Sequence, residues 1–193
     1  MPRVKLFDQQ EVLQKATDLF WKQGYHATSM QDLVTHLGIN RASLYDTYGG
    51  KKSLFLQALT WYQSVNHAQT KDFLHQHQSV KTGLQKLLAS ALQECSLDKD
   101  RKGCFIVNTA TELIPGDDDI KNIIADNNTQ FEKILHDYLQ TGVQSGEINA
   151  GKDLKAIASL LYTTLSGLRV VTKASVQKKK LELSLGTLLS LLD

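Results

Sequence analysis

Arg41, Ala42, Ser43 and Tyr45 lie close together and offer a guanidinium fork, a methyl, a hydroxyl and a phenol to whatever faces them. Such groups neither make nor break bonds; they recognise. Arginine pairs with guanine or phosphate, serine reaches either, alanine meets a thymine methyl, and tyrosine reaches a phosphate oxygen. Beyond the Gly49-Gly50 break come Lys51 and Lys52. A helix opening there presents free backbone N–H groups beside ammonium charge, which favours an anion.

The surrounding pattern supplies elements to position these groups. Met30, Leu33, Val34 and Leu37 recur at helical spacing, so one face of that segment is buried while Gln31, Asp32, Thr35 and His36 stay in water. Its start is Thr28 or Ser29, each followed three residues later by a capping-box partner, Gln31 or Asp32. Gly38 closes it in a left-handed conformation, and Asn40 caps a second helix over about Arg41 to Thr47. Ile39 and Leu44 have the spacing of a hydrophobic staple, fixing how the chain enters that helix. The second helix is too short and polar to stand alone, so neighbours must hold it with Leu44 facing the core. Upstream, a helix from Leu6 or Phe7 to Gly24 buries Val12, Leu13, Ala16, Leu19 and Phe20, with Asp8 and Glu11 forming a further capping box.

With this punctuation, Thr28 to Phe55 resembles the DNA-binding domain of the TetR/AcrR family of bacterial transcriptional regulators. Thr28, Gly38, Asn40, Tyr45, Tyr48 and Lys51 fall where the family has its capped helix, turn, cap, recognition-helix tyrosine, aromatic residue and helix-opening lysine. The resemblance implies phosphate contacts at Thr28, Tyr45 and Lys51 and base contacts at Arg41, Ala42 and Ser43. Tyr48, where Phe is commoner, is counted in the DNA-binding set. Asp46 is a departure: an acid on a helix expected to face DNA. It accepts from cytosine or turns outward. The same resemblance places Tyr25 in a small three-helix core and likens Pro2, Arg3, Val4 and Lys5 to the basic arm of many members.

Composition is compatible with this reading. The chain has 193 residues, 41% hydrophobic, with a net charge of +2, so DNA binding must rest on placed side chains rather than a strongly positive field. The expected organisation is all-α, about nine helices: a helix-turn-helix domain over residues 1–52 and a larger helical effector-binding and dimerisation domain over 53–193. No apolar run of membrane-spanning length is evident and the N-terminus has no apolar signal region, so a cytoplasmic protein without membrane insertion is expected. Two cysteines, Cys95 and Cys104, are too few for a disulfide framework and are read as thiols.

Beyond Lys51 the periodicity predicts helices from Lys51 to the His75 region, Ser79 to Leu97, Cys104 to Ile114, and Asp117 to about Ser145. Two more run from Leu154 to about Thr172 and from about Lys178 to Leu192. Asp117, Asp118 and Asp119 read as helix-start chemistry in preference to a metal site. The last two stretches are apolar enough to be sticky if exposed. The resemblance implies that they pair with their two-fold mates in a homodimer, whose two recognition helices meet the half-sites of a palindromic double-stranded DNA operator.

The resemblance also implies a pocket for an unknown small-molecule effector among the middle helices. Its candidate lining is Tyr62, Phe73, Leu88, Leu92, Asn108, Glu112, Phe131, Tyr138 and Tyr162. Cys104 stands after Arg101 and Lys102 at a helix start, where cations and backbone N–H groups lower a thiol pKa. It is either reactive or a small buried hydrophobe. A branch of the resembling family senses electrophiles or oxidants with a cysteine at this helix start, which would make Cys104 the redox sensor; Cys95, on a polar stretch of its own helix, is the candidate resolving partner.

Catalysis has little support. Gly146 to Asp153 imitates phosphate-loop spacing without the final Ser or Thr or a preceding strand. His75 and His77 have no companion ligands at metal-site spacing, and no nucleophile motif is present. No cofactor and no metal are expected. The leading expectation is a dimeric repressor released by a small molecule or thiol modification. The alternatives are a constitutive DNA-binding and dimerisation adaptor without an effector and, more weakly, an enzyme with a DNA-binding head.

Overall fold

A computed structural model describes residues 7–193, so the basic arm and Leu6 lie outside the described residues. The elements are α1 (Gln9–Gln23), α2 (Met30–Leu37), α3 (Arg41–Tyr48), α4 (Lys51–His75), α5 (Val80–Leu97), α6 (Phe105–Leu113), α7 (Asp118–Gln144), α8 (Leu154–Ala174) and α9 (Lys178–Leu189). Single 3-10 turns follow α6 and α9. Among the described residues there is no strand, as the helical periodicity requires.

Local chemistry sets the helix starts. Asp8 caps α1 through its carboxylate, which accepts from the backbone N–H groups of Gln10 (2.8 Å) and Glu11 (3.4 Å). The expected reciprocal bond from Glu11 does not form, because its carboxylate pairs with Lys15 one turn on, at 2.6 Å. At α2 a complete capping box forms between Ser29 and Asp32. Gly38 takes φ +68° to close α2, and Asn40 caps α3 by accepting from Ser43 N–H at 2.8 Å. Ile39 and Leu44 are both buried, as a staple demands. Asp117 caps α7 by accepting from the N–H groups of Asp119 and Ile120, and Lys52 neutralises it and Asp119 at 2.9 and 3.1 Å. This is helix-start chemistry with a built-in counter-ion.

Two apolar cores result. In the first, Val12, Phe20, Leu33, Leu37, Leu44 and Tyr48 pack with Leu54, Phe55 and Leu59 of α4, Phe105 and Leu113 of α6, and Ile120 and Ile124 of α7. The second joins α5, α7, α8 and α9 through Leu84, Leu88, Leu135, Leu139, Leu161, Leu168 and Leu188. The expected division at residue 52/53 therefore cuts into α4, a 25-residue helix whose first half belongs to the DNA-side core and whose far end, Leu74, belongs to the other.

By length and mean hydropathy α8 only just reaches what a membrane-crossing helix needs, as a core helix also does. Lys155, Ser159, Thr163, Thr164, Ser166 and Arg169 interrupt its apolar residues, so the expectation of no apolar run of spanning length holds. One of its faces, with Leu154, Ala158, Leu161 and Leu168, is packed into the second core. On another face Leu160, Val170 and Val171 are exposed, with Thr163 and Gly167 between them also exposed. The spacing is that of one helical stripe. On α9, Leu183 and Thr187 are exposed, as is Leu191 in the turn that follows, and they form a second stripe. Both stripes end at water in the single chain.

Candidate nucleic-acid interface and effector cavity

On α3 the side chains divide cleanly. Leu44 and Tyr48, one turn apart, are buried, and the Tyr48 hydroxyl donates to Gln9 O at 3.0 Å. Arg41, Ala42, Tyr45 and Asp46 are exposed and Ser43 is half-buried. The Arg41 guanidinium lies 5.9 Å from the Tyr45 ring centroid, in cation–π range. Tyr48 is thus a strut beneath the recognition surface, not part of it, which corrects its place in the DNA-binding set. Thr28 needs the same correction. It is fully buried and its hydroxyl donates to Gly24 O at 2.6 Å, while Ser29 provides the cap.

At the start of α4, Gly50 supplies no side-chain cap, leaving the first-turn N–H groups free for an anion. The Lys51 ammonium sits 4.3 Å over the Tyr25 ring. Burial lowers its pKa from the ordinary lysine value and the Glu112 carboxylate works in the opposite direction. Lys52, expected to add positive charge here, is engaged by Asp117 and Asp119 instead. The exposed set is therefore Arg41, Ala42, Tyr45 and Asp46, flanked by partly covered Ser43 and Lys51.

A cavity of about 210 Å³ lies between α4, α5, α6, α7 and α8, lined by Tyr62, Phe73, Phe131 and Tyr162 from the expected set together with Cys104. The other expected lining residues are elsewhere. Leu88 and Leu92 are buried in the second core, as is Tyr138, whose ring passes over Gly83 and whose hydroxyl lies 3.4 Å from Ser79 O. Asn108 is tied to Lys102 O and the Lys173 ammonium, at 2.7 Å each. Glu112 accepts from the backbone N–H groups of Tyr25 and His26. These side chains point away because core packing and interdomain bonds claim them.

Their places are taken by polar residues not anticipated from sequence, chiefly Asn127, Glu94 and Arg169. Asn127 lies 3.0 Å from His67 Nε2 and donates to the Tyr162 hydroxyl at 3.1 Å. Burial lowers the His67 pKa despite the Asn127 bond. Arg169 donates to Glu94 at 2.6 Å and reaches the Cys95 sulfur at 3.8 Å. A cation in the apolar run of α8 was the available signal for Arg169.

Cys104 caps α6 without a side-chain cap bond, and both cysteines are free thiols. The cations expected beside it are turned elsewhere: Arg101 donates to the carbonyls of Lys173 and Ala174, and Lys102 sits over the Trp21 ring. Arg169 replaces them on the cavity wall. Tyr62 has its hydroxyl pKa raised, chiefly by burial and next by the Cys104 sulfur. Cys95, although on a polar stretch of its helix, is buried. Among the described residues, no group of three His, Cys, Asp or Glu is placed to hold a metal ion.

A capped, core-anchored helix with an exposed recognition face, joined to a helical body with a central cavity, is the arrangement of a DNA-binding regulator of the helix-turn-helix class. Residues 12–58 match the sequence family described as bacterial regulatory proteins, tetR family. Residues 80–187 match the tetracyclin repressor-like C-terminal domain. The chain belongs to the TetR family of transcriptional regulators. It is 34% identical to the uncharacterised HTH-type regulator YezE of Bacillus subtilis (strain 168), over 100% of both chains. It is 32% identical to the HTH-type transcriptional repressor ComR of Escherichia coli (strain K12), covering 98% of this chain and 90% of ComR. Among solved structures, it is similar to a cysteine mutant of the TetR-family regulator CifR complexed with a 26-base-pair double-strand operator DNA. There the TM-score is 0.86 at 26% identity, over 99% of this chain and 100% of the other.

Proposed function

We propose that this regulator is a homodimeric, cytoplasmic repressor that holds a palindromic operator through α3 and releases it when the cavity is filled or Cys104 is modified. The reading is carried by the exposed face of α3. Arg41, Ala42 and Ser43 read bases there, while Tyr45 and Lys51 position the helix on phosphates. The likeness to CifR on operator DNA supports taking the described arrangement as the DNA-competent one. Ligand binding to an alternative arrangement then draws the population away from DNA, so ligand and operator oppose each other by linkage.

Two measurements test this. With a duplex selected from random-sequence DNA by the wild-type protein, Arg41→Ala weakens binding by about 1–3 kcal/mol and relaxes preference at one base position per half-site. Uniform weakening on every duplex would assign Arg41 to phosphate alone. For the thiol route, a quinone to which the Cys104 sulfur adds, with the proton passing to the quinone, releases wild-type protein from the duplex and leaves Cys104→Ser bound. Equal release of both would remove Cys104 from the mechanism and leave the cavity as the effector site.

A further inference from the structure

The cavity and the DNA-facing elements share α6. In its first turn, Ile106 and Val107 line the cavity beside the capping Cys104. Glu112, about two turns further along, reaches across to the turn that follows α1. One carboxylate oxygen accepts from Tyr25 N–H at 3.1 Å and the other from His26 N–H at 2.8 Å. Both oxygens thus hold successive backbone donors of the DNA-side domain. The bonds are charge-assisted, roughly twice the strength of neutral ones.

Gly24 makes this approach possible. A β-carbon there would lie 2.9 Å from a Glu112 oxygen, and the residue adopts φ +84°, which side-chain-bearing residues rarely take. The turn so held carries Tyr25, whose ring packs on Phe20 and edge-on to Phe55 and lies under the Lys51 ammonium. Moving the Tyr25–His26 backbone moves the ring, and the ring is what Lys51 rests on. The Glu112 charge also acts on Lys51 directly. A carboxylate in the effector domain is therefore linked by contacts to the ammonium at the start of α4.

We propose that Glu112 is a positioning residue for DNA binding, fixing the Tyr25–His26 turn and through the Tyr25 ring setting Lys51 against a phosphate. The inference rests on the assignment of Lys51 as a phosphate contact. It gives α6 one end that senses the cavity and another that sets a backbone contact, so displacement of α6 is felt at the DNA surface without passing through the length of α4.

The test is operator binding by fluorescence anisotropy over a salt series, using the selected duplex and Lys51→Ala, Glu112→Ala, Glu112→Gln and the Lys51→Ala/Glu112→Ala double variant. Loss of one phosphate contact lowers the slope of log K against log salt by about 0.9 per protomer. Lys51→Ala shows that drop, and Glu112→Ala shows most of it with about a tenfold loss of affinity, as expected for removing charge-assisted bonds. In the Lys51→Ala background, Glu112→Ala then adds less than about twofold, since the two act as a unit. Glu112→Gln keeps the shape and one accepting oxygen and falls between wild type and Ala, which separates positioning from misfolding. Independent losses in the double variant, or an unchanged slope in Glu112→Ala, overturn the proposal while leaving the Lys51 assignment intact. An unchanged slope in Lys51→Ala overturns both.

Discussion

Val171→Asp leaves the single chain folded and weakens operator binding by at least about a hundredfold. Val171 is 52% exposed on the outer stripe of α8 with Leu160 and Val170, so the new carboxylate is solvated in the monomer and disturbs no packed neighbour. In a two-fold dimer built on this stripe the same position is met twice, and each copy buries a charge with no partner, at about 3–5 kcal/mol apiece. Gly167, in the middle of the stripe, has nothing within 4 Å of where a β-carbon would stand, which leaves room for a partner helix to come close. Because the operator energy comes from two half-sites engaged together, loss of the dimer lowers apparent affinity by at least about a hundredfold. Sedimentation of wild type and variant, alongside anisotropy on the selected duplex, checks this. A dimeric variant would move the interface off the α8 stripe; a monomeric variant that still binds at full affinity would show that single half-sites suffice.

Leu44→Ala has the next largest effect, and it acts on the fold. Leu44 is fully buried and belongs with Ile39 to the staple at the entry to α3. An eight-residue helix with no intrinsic stability depends on that anchor and on Tyr48. Truncation removes the anchor and leaves a cavity, costing about 2–5 kcal/mol of unfolding free energy. Chemical denaturation measures it directly. Operator affinity falls further than global stability alone requires, because α3 loosens locally before the chain unfolds. A loss below about 1 kcal/mol would mean that the Tyr48 strut and the Asn40 cap hold α3 without the staple.

The DNA-side elements were legible because their signals are short-range. Gly38 and Asn40 bound a turn with room for few conformations, and the Ile39/Leu44 spacing is local. The bounds of α4, Lys51 and His75, were read from periodicity and match the structure. Thr28 and Ser29 were not separable, since each had an acceptable partner three residues on. The Gly24 carbonyl decided between them by taking the Thr28 hydroxyl, and Ser29 with Asp32 completed the cap. Tyr48 stands one turn from Leu44 and so shares its inward face; that spacing was visible, but its weight against a surface role came only from the hydroxyl bond to Gln9.

The cavity was legible only in part. Tyr62, Phe131 and Tyr162 line it, whereas Leu88 and Leu92 of α5 are wholly taken up by the second core, as is Tyr138, an aromatic residue two turns from Phe131 on the same face of α7. Nothing in a single helix's pattern says which buried stripe meets a neighbour and which meets a void. Asn108 and Glu112 were polar and inward, as a ligand handle would be, and were claimed by Lys102, Lys173 and the Tyr25–His26 turn.

What the sequence determined by itself is the recognition chemistry and its scaffold: Arg41, Ala42, Ser43 and Tyr45 on a capped helix, because caps, turns and apolar spacing act over a few residues. The tertiary structure decided how that helix is governed. Glu112 meets Tyr25 and His26, and Arg169 meets Glu94, across more than seventy residues of chain, and such bonds exist only once the helices have packed and chosen which buried polar groups face one another.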